Sequence, residues 1–104
     1  MNESNYISYA KKAAKIQLNE LKKINKIFNK SFVKAINLIS NCKGKIIFSG
    51  VGKNSFICRK AASTFSSVGI PSFFVDPTGV SHGDAGLIEK KDVLIIISNS
   101  GNTQ

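Results

Sequence analysis

The chain has 104 residues, enough for one domain with a modest core, and carries a net charge of +9. Fourteen of its fifteen basic residues are lysine, whereas proteins that read base edges rely on arginine, so we expect no nucleic-acid partner. No apolar run approaches the roughly 20 residues of a membrane span, and residues 1–10 lack the pattern of a signal peptide. We therefore expect no membrane partner and a cytoplasmic location. The two cysteines, Cys42 and Cys58, lack metal-site spacing and are predicted to be free thiols.

Residues 1–42 are rich in lysine and have a helical period. A first helix is predicted from about Tyr6 to Phe28, and a second through about Ser40, with Ser31 as its N-cap. Apolar side chains at spacings of three and four line the first helix, namely Ala10, Ala14, Leu18, Leu21, Ile24 and Phe28. The pattern predicts two amphipathic helices that pack on a sheet or on a partner.

Residues 43–104 alternate between strand-like and helix-like segments. Strands are predicted at 45–49, 71–75 and 92–98, and a helix at 54–68 that ends at Gly69, since glycine is favoured just past a helix end. Nearly continuous apolar strands separated by a helix or a long loop predict a parallel sheet covered on both faces. The expected fold class is therefore α/β: a partial doubly wound parallel sheet of three strands, preceded by two N-terminal helices.

Three predicted loops leave the carboxyl ends of these strands, where open parallel sheets bind ligands. In the first loop, Gly50 and Gly52 allow positive φ and close approach to a ligand. Lys53 then adds a positive charge at the N-terminus of the next helix, which itself favours anions. The alternative is a tight strand-to-helix turn with a solvated lysine.

The loop after the third strand is rich in hydroxyl groups, with Ser98, Ser100 and Thr103 around Gly101. Hydroxyls and backbone N–H groups together can cradle a phosphate, although the same residues could serve only as caps of a following helix. The middle loop, 76–86, contains the chain's single histidine, His82. That side chain could bind sugar hydroxyls, transfer a proton, ligate a metal, or simply be exposed.

Five segments occur in an order typical of one family: GVGK at 50–53, RKAASTF at 59–65, PSFFV at 71–75, HGD at 82–84 and SNSG at 98–101. Together they resemble SIS (sugar isomerase) domains, and specifically the arabinose-5-phosphate isomerase family. The resemblance implies an aldose–ketose isomerisation between D-arabinose 5-phosphate and D-ribulose 5-phosphate through an enediol, serving lipopolysaccharide or capsule biosynthesis. It implies a sugar phosphate as substrate and requires no cofactor.

The resemblance also assigns roles to individual residues. Lys53 matches a catalytic lysine, and the substrate-binding positions are Gly69, Ile70, His82, Ser98, Ser100 and Thr103. The loop backbone around the phosphate matches Gly50, Gly52 and Gly101. Asn54 and Ser55 depart from the serine and glycine that usually follow the lysine. Asp76 stands where some members place a metal-binding histidine, and a carboxylate can also ligate zinc.

The expected organisation is a helical segment at 1–42 and the N-terminal half of a SIS domain at 43–104, without the CBS pair of the family. The acidic catalytic residue of the family follows the SNSG loop and would lie beyond Gln104, so we expect a fragment that is inactive alone. Alternatives are a non-catalytic sugar-phosphate-binding module or regulator, and an interaction segment that acts in an oligomer. We expect a homo-oligomer if the full domain is present.

Overall fold

The computed structural model describes residues 2–78, 86 and 88–99. The chain divides into two compact units, Met1–Ile36 and Asn37–Gln104, and each is described by itself. The predicted domain boundary between residues 42 and 43 stays a prediction. Within the described residues, no helix has both the length and the apolarity that crossing a bilayer requires.

The first unit is built on helix α1, Glu3–Lys22. Asn2 caps it, because its side-chain oxygen accepts a hydrogen bond from the N–H of Asn5 at 3.1 Å. The predicted start at Tyr6 was therefore three residues late. A 3-10 helix, Lys23–Ile27, follows directly, so the predicted end at Phe28 includes a segment that is more tightly wound than an α-helix.

Helix α2 runs over Lys30–Ser40. Its first turn is capped by Asn29, whose side-chain oxygen accepts a hydrogen bond from the N–H of Phe32 at 3.2 Å. Ser31, the predicted cap, lies inside the helix. The rings of Phe28 and Phe32 meet edge to face across this start, with centroids 5.1 Å apart.

The second unit contains a parallel sheet of β1 (Ile46–Ser49), β2 (Ser72–Phe74) and β3 (Val93–Ile96), in the order β2-β1-β3. Ile46 of β1 is paired with Ser72 on one side and Val93 on the other. The central strand is fully buried, as its apolar sequence requires. The predicted α/β class, with three parallel strands after two N-terminal helices, is confirmed.

Helix α3, Lys53–Ser67, connects β1 to β2 and packs on the sheet. Its Cys58 and Ala62 form the core with Ile46 and Phe48 of β1. As predicted, Gly69 terminates the helix just past its last residue, with its backbone in the left-handed region at φ +87°. The N–H of Ile70 bonds to the carbonyl oxygen of Phe65 at 3.0 Å, and the N–H of Gly69 to that of Ser66 at 3.1 Å, which is the Schellman pattern.

The amino ends of β1 and β3 are joined by Asp92, whose side chain has no exposed area. Its carboxylate accepts hydrogen bonds from the N–H of Lys45 at 2.7 Å and of Glu89 at 2.8 Å, and the Nζ of Lys45 lies 3.4 Å away. These hydrogen bonds hold the pKa of Asp92 below its ordinary value, and the one from the backbone of Lys45 has the largest effect. Gly44 packs so tightly here that a Cβ would collide with the Asp92 carboxylate.

Candidate functional site

The strand order predicts a crevice at the carboxyl edge of the sheet. The chain passes from the central strand β1 to β2 on one side and then to β3 on the other. A reversal of this kind separates the loops after β1 and β3, and open α/β sheets bind ligands there. Gly50 follows β1 and Ser98 lies two residues beyond the end of β3, so the two predicted phosphate loops begin on either side of this crevice.

Gly50 is a glycine because the chain has no room for a side chain there. A Cβ at this position would lie 2.9 Å from the carbonyl oxygen of Ile97, 3.1 Å from the Sγ of Cys58 and 3.3 Å from the Cβ of Asn54. The predicted positive φ is found among the described glycines at Gly52 and Gly69, and not at Gly50. The close approach at Gly50 is therefore to Ile97, which directly follows strand β3, and to helix α3.

Gly52 gives the turn its conformational freedom and its open surface. It precedes α3 with φ 60° and ψ −134°, a region that side chains disfavour, and a Cβ there would meet nothing within 4 Å. Its carbonyl oxygen accepts hydrogen bonds from the N–H of Ser55 at 3.1 Å and from the Ser55 hydroxyl at 2.6 Å. The departure from the family pattern at residue 55 thus closes the turn with a local hydrogen bond.

Lys53 is the first residue of α3 and is exposed to solvent. The first turn of α3 contains no acidic residue, so the positive end of the helix dipole is uncompensated there. An ammonium group and a helix N-terminus at one mouth form an environment suited to an anion such as a phosphate or an enediolate oxygen.

Ser49 ties the carboxyl ends of the strands together, a role that the sequence patterns missed. Its buried hydroxyl donates a hydrogen bond to the carbonyl oxygen of Val75 at 2.7 Å. The carbonyl oxygen of Ser49 accepts a hydrogen bond from the N–H of Ile97 at 2.9 Å. The sequence does contain a sign of this role, since a hydroxyl at the end of an otherwise apolar strand is expected to be buried and to need a hydrogen-bond partner.

Asp76 also lies at this edge, just after Val75. Its Oδ1 accepts the N–H of Thr78 at 2.8 Å, which is the hydrogen bond of an Asx-turn. Across the part of the chain that the structure describes, no three histidine, cysteine or acidic side chains group as a metal site. The possible role of Asp76 in binding zinc stays a prediction.

Cys58 lies directly beneath the Gly50 turn and is fully buried. Burial raises the pKa of its thiol, and a hydrogen bond from the backbone of Ile97 opposes that rise. The thiol is therefore a core group under the candidate site, held in its neutral form, rather than a nucleophile within it.

The structure brings some of the predicted site residues together and separates others. Those at the carboxyl edge are Gly50, Gly52, Lys53, Asp76 and Ser98. Gly69 and Ile70 lie at the far end of α3, at the amino edge, where they line a cavity of about 300 Å³. The remaining predicted residues, His82, Ser100, Gly101 and Thr103, lie outside the described residues.

The fold agrees with a comparison to known families. The family model of the SIS domain matches residues 38–104. This match covers more than half of the chain, and the chain therefore belongs to the SIS domain family.

Proteins with similar sequences include an arabinose 5-phosphate isomerase. The arabinose 5-phosphate isomerase GutQ of Salmonella typhi is 43% identical over 89 residues, which are 86% of this chain and 28% of the relative. Protein RP505 of Rickettsia prowazekii is 38% identical over 104 residues, which are 100% of this chain and 33% of the relative. The chain thus spans about a third of the length of the curated relatives it matches.

A solved structure is similar to this chain both in sequence and in three dimensions. E. coli CFT073 c3406, solved in complex with arabinose 5-phosphate, superposes with a TM-score of 0.90 at 42% sequence identity. The match covers 99% of this chain and 55% of that chain. The similarity therefore extends over the N-terminal helices as well.

Proposed function

We propose that this chain supplies the sugar-phosphate-binding part of a SIS-domain isomerase that interconverts D-arabinose 5-phosphate and D-ribulose 5-phosphate. The observation that carries the proposal is the 42% identity and 0.90 TM-score to the structure solved with arabinose 5-phosphate. The turn from Gly50 to Lys53, which opens at the switch point of the sheet, supports it independently. The proposal requires no cofactor or nucleic-acid partner, and it places the protein in the cytoplasm.

Lys53 is the proposed catalytic group of the described residues. Isomerisation through an enediol builds negative charge on a substrate oxygen, and an ammonium group next to that oxygen stabilises it. The open backbone at Gly52 lets a ligand approach the helix N-terminus closely. In this proposal the Ser98 loop, with Ser100, Gly101 and Thr103, holds the phosphate.

The other predicted contacts stay part of the proposal. His82 would contact sugar hydroxyls from the middle loop. Gly69 and Ile70 precede β2 at the amino edge, so any contact they make would be with a substrate bound to another copy.

Binding without turnover is the second candidate function of this chain, and one observation favours it. Among the described residues, Asp76 is the single carboxylate at the carboxyl edge, and one of its oxygens accepts the N–H of Thr78. Enolisation needs a base close to the C1–C2 carbons. We therefore propose that the 104-residue chain binds the sugar phosphate but does not isomerise it.

Isothermal titration calorimetry of the chain with arabinose 5-phosphate tests the proposal. We expect Lys53→Ala to weaken binding by roughly ten- to hundredfold, because one charge-assisted contact contributes about 1.5–3 kcal/mol. The matched control is Lys60→Ala, which removes the same charge from an exposed position two turns later on α3. Equal loss in both variants would show that the contribution of Lys53 is general charge and would overturn its assignment.

A coupled assay for ribulose 5-phosphate tests the second candidate function. Turnover by the 104-residue chain would contradict binding alone. Binding without turnover would support it, and it is also the result expected of the binding part of an isomerase.

A further inference from the structure

The parallel ladder between β1 and β2 stops one hydrogen bond earlier than its register allows. Phe48 is paired with Phe74, and the N–H of Val75 donates a hydrogen bond to the carbonyl oxygen of Phe48 at 2.9 Å. The bonds of a parallel ladder are evenly spaced and alternate in direction between the two strands. The next bond would therefore run from the N–H of Gly50 to the carbonyl oxygen of Val75.

The side chain of Ser49 occupies that acceptor instead. Its hydroxyl donates a hydrogen bond to the carbonyl oxygen of Val75 at 2.7 Å, and both residues are buried. Gly50 is buried as well, yet among the described residues its N–H has no hydrogen-bond acceptor. Since buried backbone N–H groups are nearly always paired, an unpaired one beside a candidate ligand site requires an explanation.

Gly50 lies where a ligand at the carboxyl edge would meet the end of the central strand. It directly follows β1, with Asp76 beyond the end of β2 on one side and Ser98 beyond the end of β3 on the other. A sugar phosphate that reaches from one of these loops to the other passes over Gly50. Lys53 and the N-terminus of α3 follow three residues later, so an oxyanion at this place would also meet positive charge.

We infer that Ser49 is a positioning residue, because its hydroxyl takes the carbonyl oxygen of Val75 and leaves the N–H of Gly50 free to donate to an oxygen atom of the bound sugar phosphate. The inference rests on the proposed function and deepens it. A donor that is already in place before the ligand arrives needs no rearrangement on binding, and such pre-organisation favours affinity.

Loss of the hydroxyl should let the ladder extend by one bond. In Ser49→Ala the carbonyl oxygen of Val75 loses its donor, and the N–H of Gly50 is the next donor in the register. Because an unpaired buried carbonyl is unfavourable, we expect Gly50 to bond to it and to become unavailable to the ligand. Ser49→Thr keeps a hydroxyl at this position and should keep the wild-type hydrogen bonds.

Amide hydrogen exchange of the full chain, followed by NMR without any ligand, tests this change of partner. We expect the Gly50 amide to exchange about tenfold more slowly in Ser49→Ala than in the wild-type chain, because it gains a hydrogen bond. A purely structural role of Ser49 predicts the opposite, since a less stable fold opens more often and exchanges faster. Equal or faster exchange at Gly50 in Ser49→Ala would overturn the inference.

Isothermal titration calorimetry with arabinose 5-phosphate measures the consequence for binding. We expect Ser49→Ala to weaken binding by roughly ten- to hundredfold, because the ligand loses a hydrogen bond to a charged oxygen, and Ser49→Thr to restore affinity to within about threefold. The matched control is Ser66→Ala, which removes a hydroxyl that donates to the carbonyl oxygen of Ser72 at 2.9 Å, at the amino edge of the sheet. This control should leave the affinity within about twofold.

The outcomes separate this inference from the proposed function. Wild-type affinity of Ser49→Ala would overturn the inference and leave the proposed function intact, and equal losses in Ser49→Ala and Ser66→Ala would do the same. Absence of binding by the wild-type chain would contradict the proposed function and, with it, the ligand assigned to Gly50. The exchange measurement would still show in that case whether Ser49 controls this N–H.

Discussion

Gly50 shows how a single residue serves both the fold and the candidate site. The glycines of the first loop are predicted from sequence to allow positive φ, yet Gly50 owes its identity to the carbonyl oxygen of Ile97 and the thiol of Cys58. The same contact brings the carboxyl ends of β1 and β3 together. A side chain at this position would therefore push apart the two strands that border the crevice.

We expect Gly50→Ala to lower the free energy of unfolding by about 1–3 kcal/mol, because its neighbours are backbone and core atoms that move little. Urea denaturation measures the loss. Gly86→Ala is the control, because a Cβ there meets nothing within 4 Å and its φ is not positive. Wild-type stability of Gly50→Ala would contradict the close packing.

Asp92 makes stability depend on pH. Its pKa is lowered in the folded chain, chiefly by hydrogen bonds from the backbone of Lys45 and Glu89. The unfolded chain therefore binds more protons, and the carboxylate contributes stability above its unfolded pKa of about 3.9. That contribution is lost as the pH falls through the lower folded pKa.

Urea denaturation of Asp92→Asn from neutral to strongly acidic pH checks this sign. The wild-type chain should lose more stability than the variant as the medium is acidified below about pH 4. Glu20→Gln, which removes an exposed carboxylate from α1, should follow the wild-type pH profile. A pH profile of Asp92→Asn as steep as that of the wild-type chain would contradict the account.

At the scale of elements, the C-terminus of α3 was predicted and its geometry confirms the reason. Gly69 has φ +87°, which an L side chain adopts only with strain. We expect Gly69→Ala to lower the free energy of unfolding by about 1 kcal/mol, as measured by thermal unfolding. Because the added Cβ would meet nothing within 4 Å, this loss would come from backbone strain and not from a steric clash. A cost near zero would indicate that the helix end relaxes.

The elements themselves could be predicted because their apolar patterns are strong, but their caps could not. Asn29 and Ser31 are both good capping residues, and the sequence offers no reason to prefer the one that α2 uses. Strands are predicted too long, as for residues 92–98 against the observed Val93–Ile96, where Ile97 continues the apolar run past the last ladder pair. The order β2-β1-β3 depends on how the crossovers pass the sheet, which local sequence does not specify.

Part of the candidate site could also be predicted, because some of its residues form a local sequence pattern. Glycines and a lysine after a strand indicate an anion site, so the sequence was sufficient to single out Gly52 and Lys53. The hydrogen bond from Ser49 to Val75 joins residues 26 positions apart and became visible only with the sheet. Gly69 and Ile70 had been grouped with the site by resemblance alone, and the topology puts them at the other edge.

At the scale of the whole molecule, the two units carry different features. The unit Asn37–Gln104 holds the sheet and the candidate sugar-phosphate site. The unit Met1–Ile36 holds helix α1 and eight of the fourteen lysines. A basic surface of this kind raises the local concentration of an anionic ligand. At roughly 0.1 M ionic strength, salt screens this attraction beyond about 10 Å.

The most direct test of the central claim is a nitrogen–proton NMR titration of the full chain with arabinose 5-phosphate. We expect the amide signals of Gly50, Gly52, Lys53 and Ser98 to shift together, since these residues border one crevice. The signals of Gly44 and Asp92, at the amino edge of the sheet, should stay in place. Shifts confined to the amino edge, or none up to about 10 mM ligand, the upper end of weak binding, would contradict a sugar-phosphate site at the carboxyl edge.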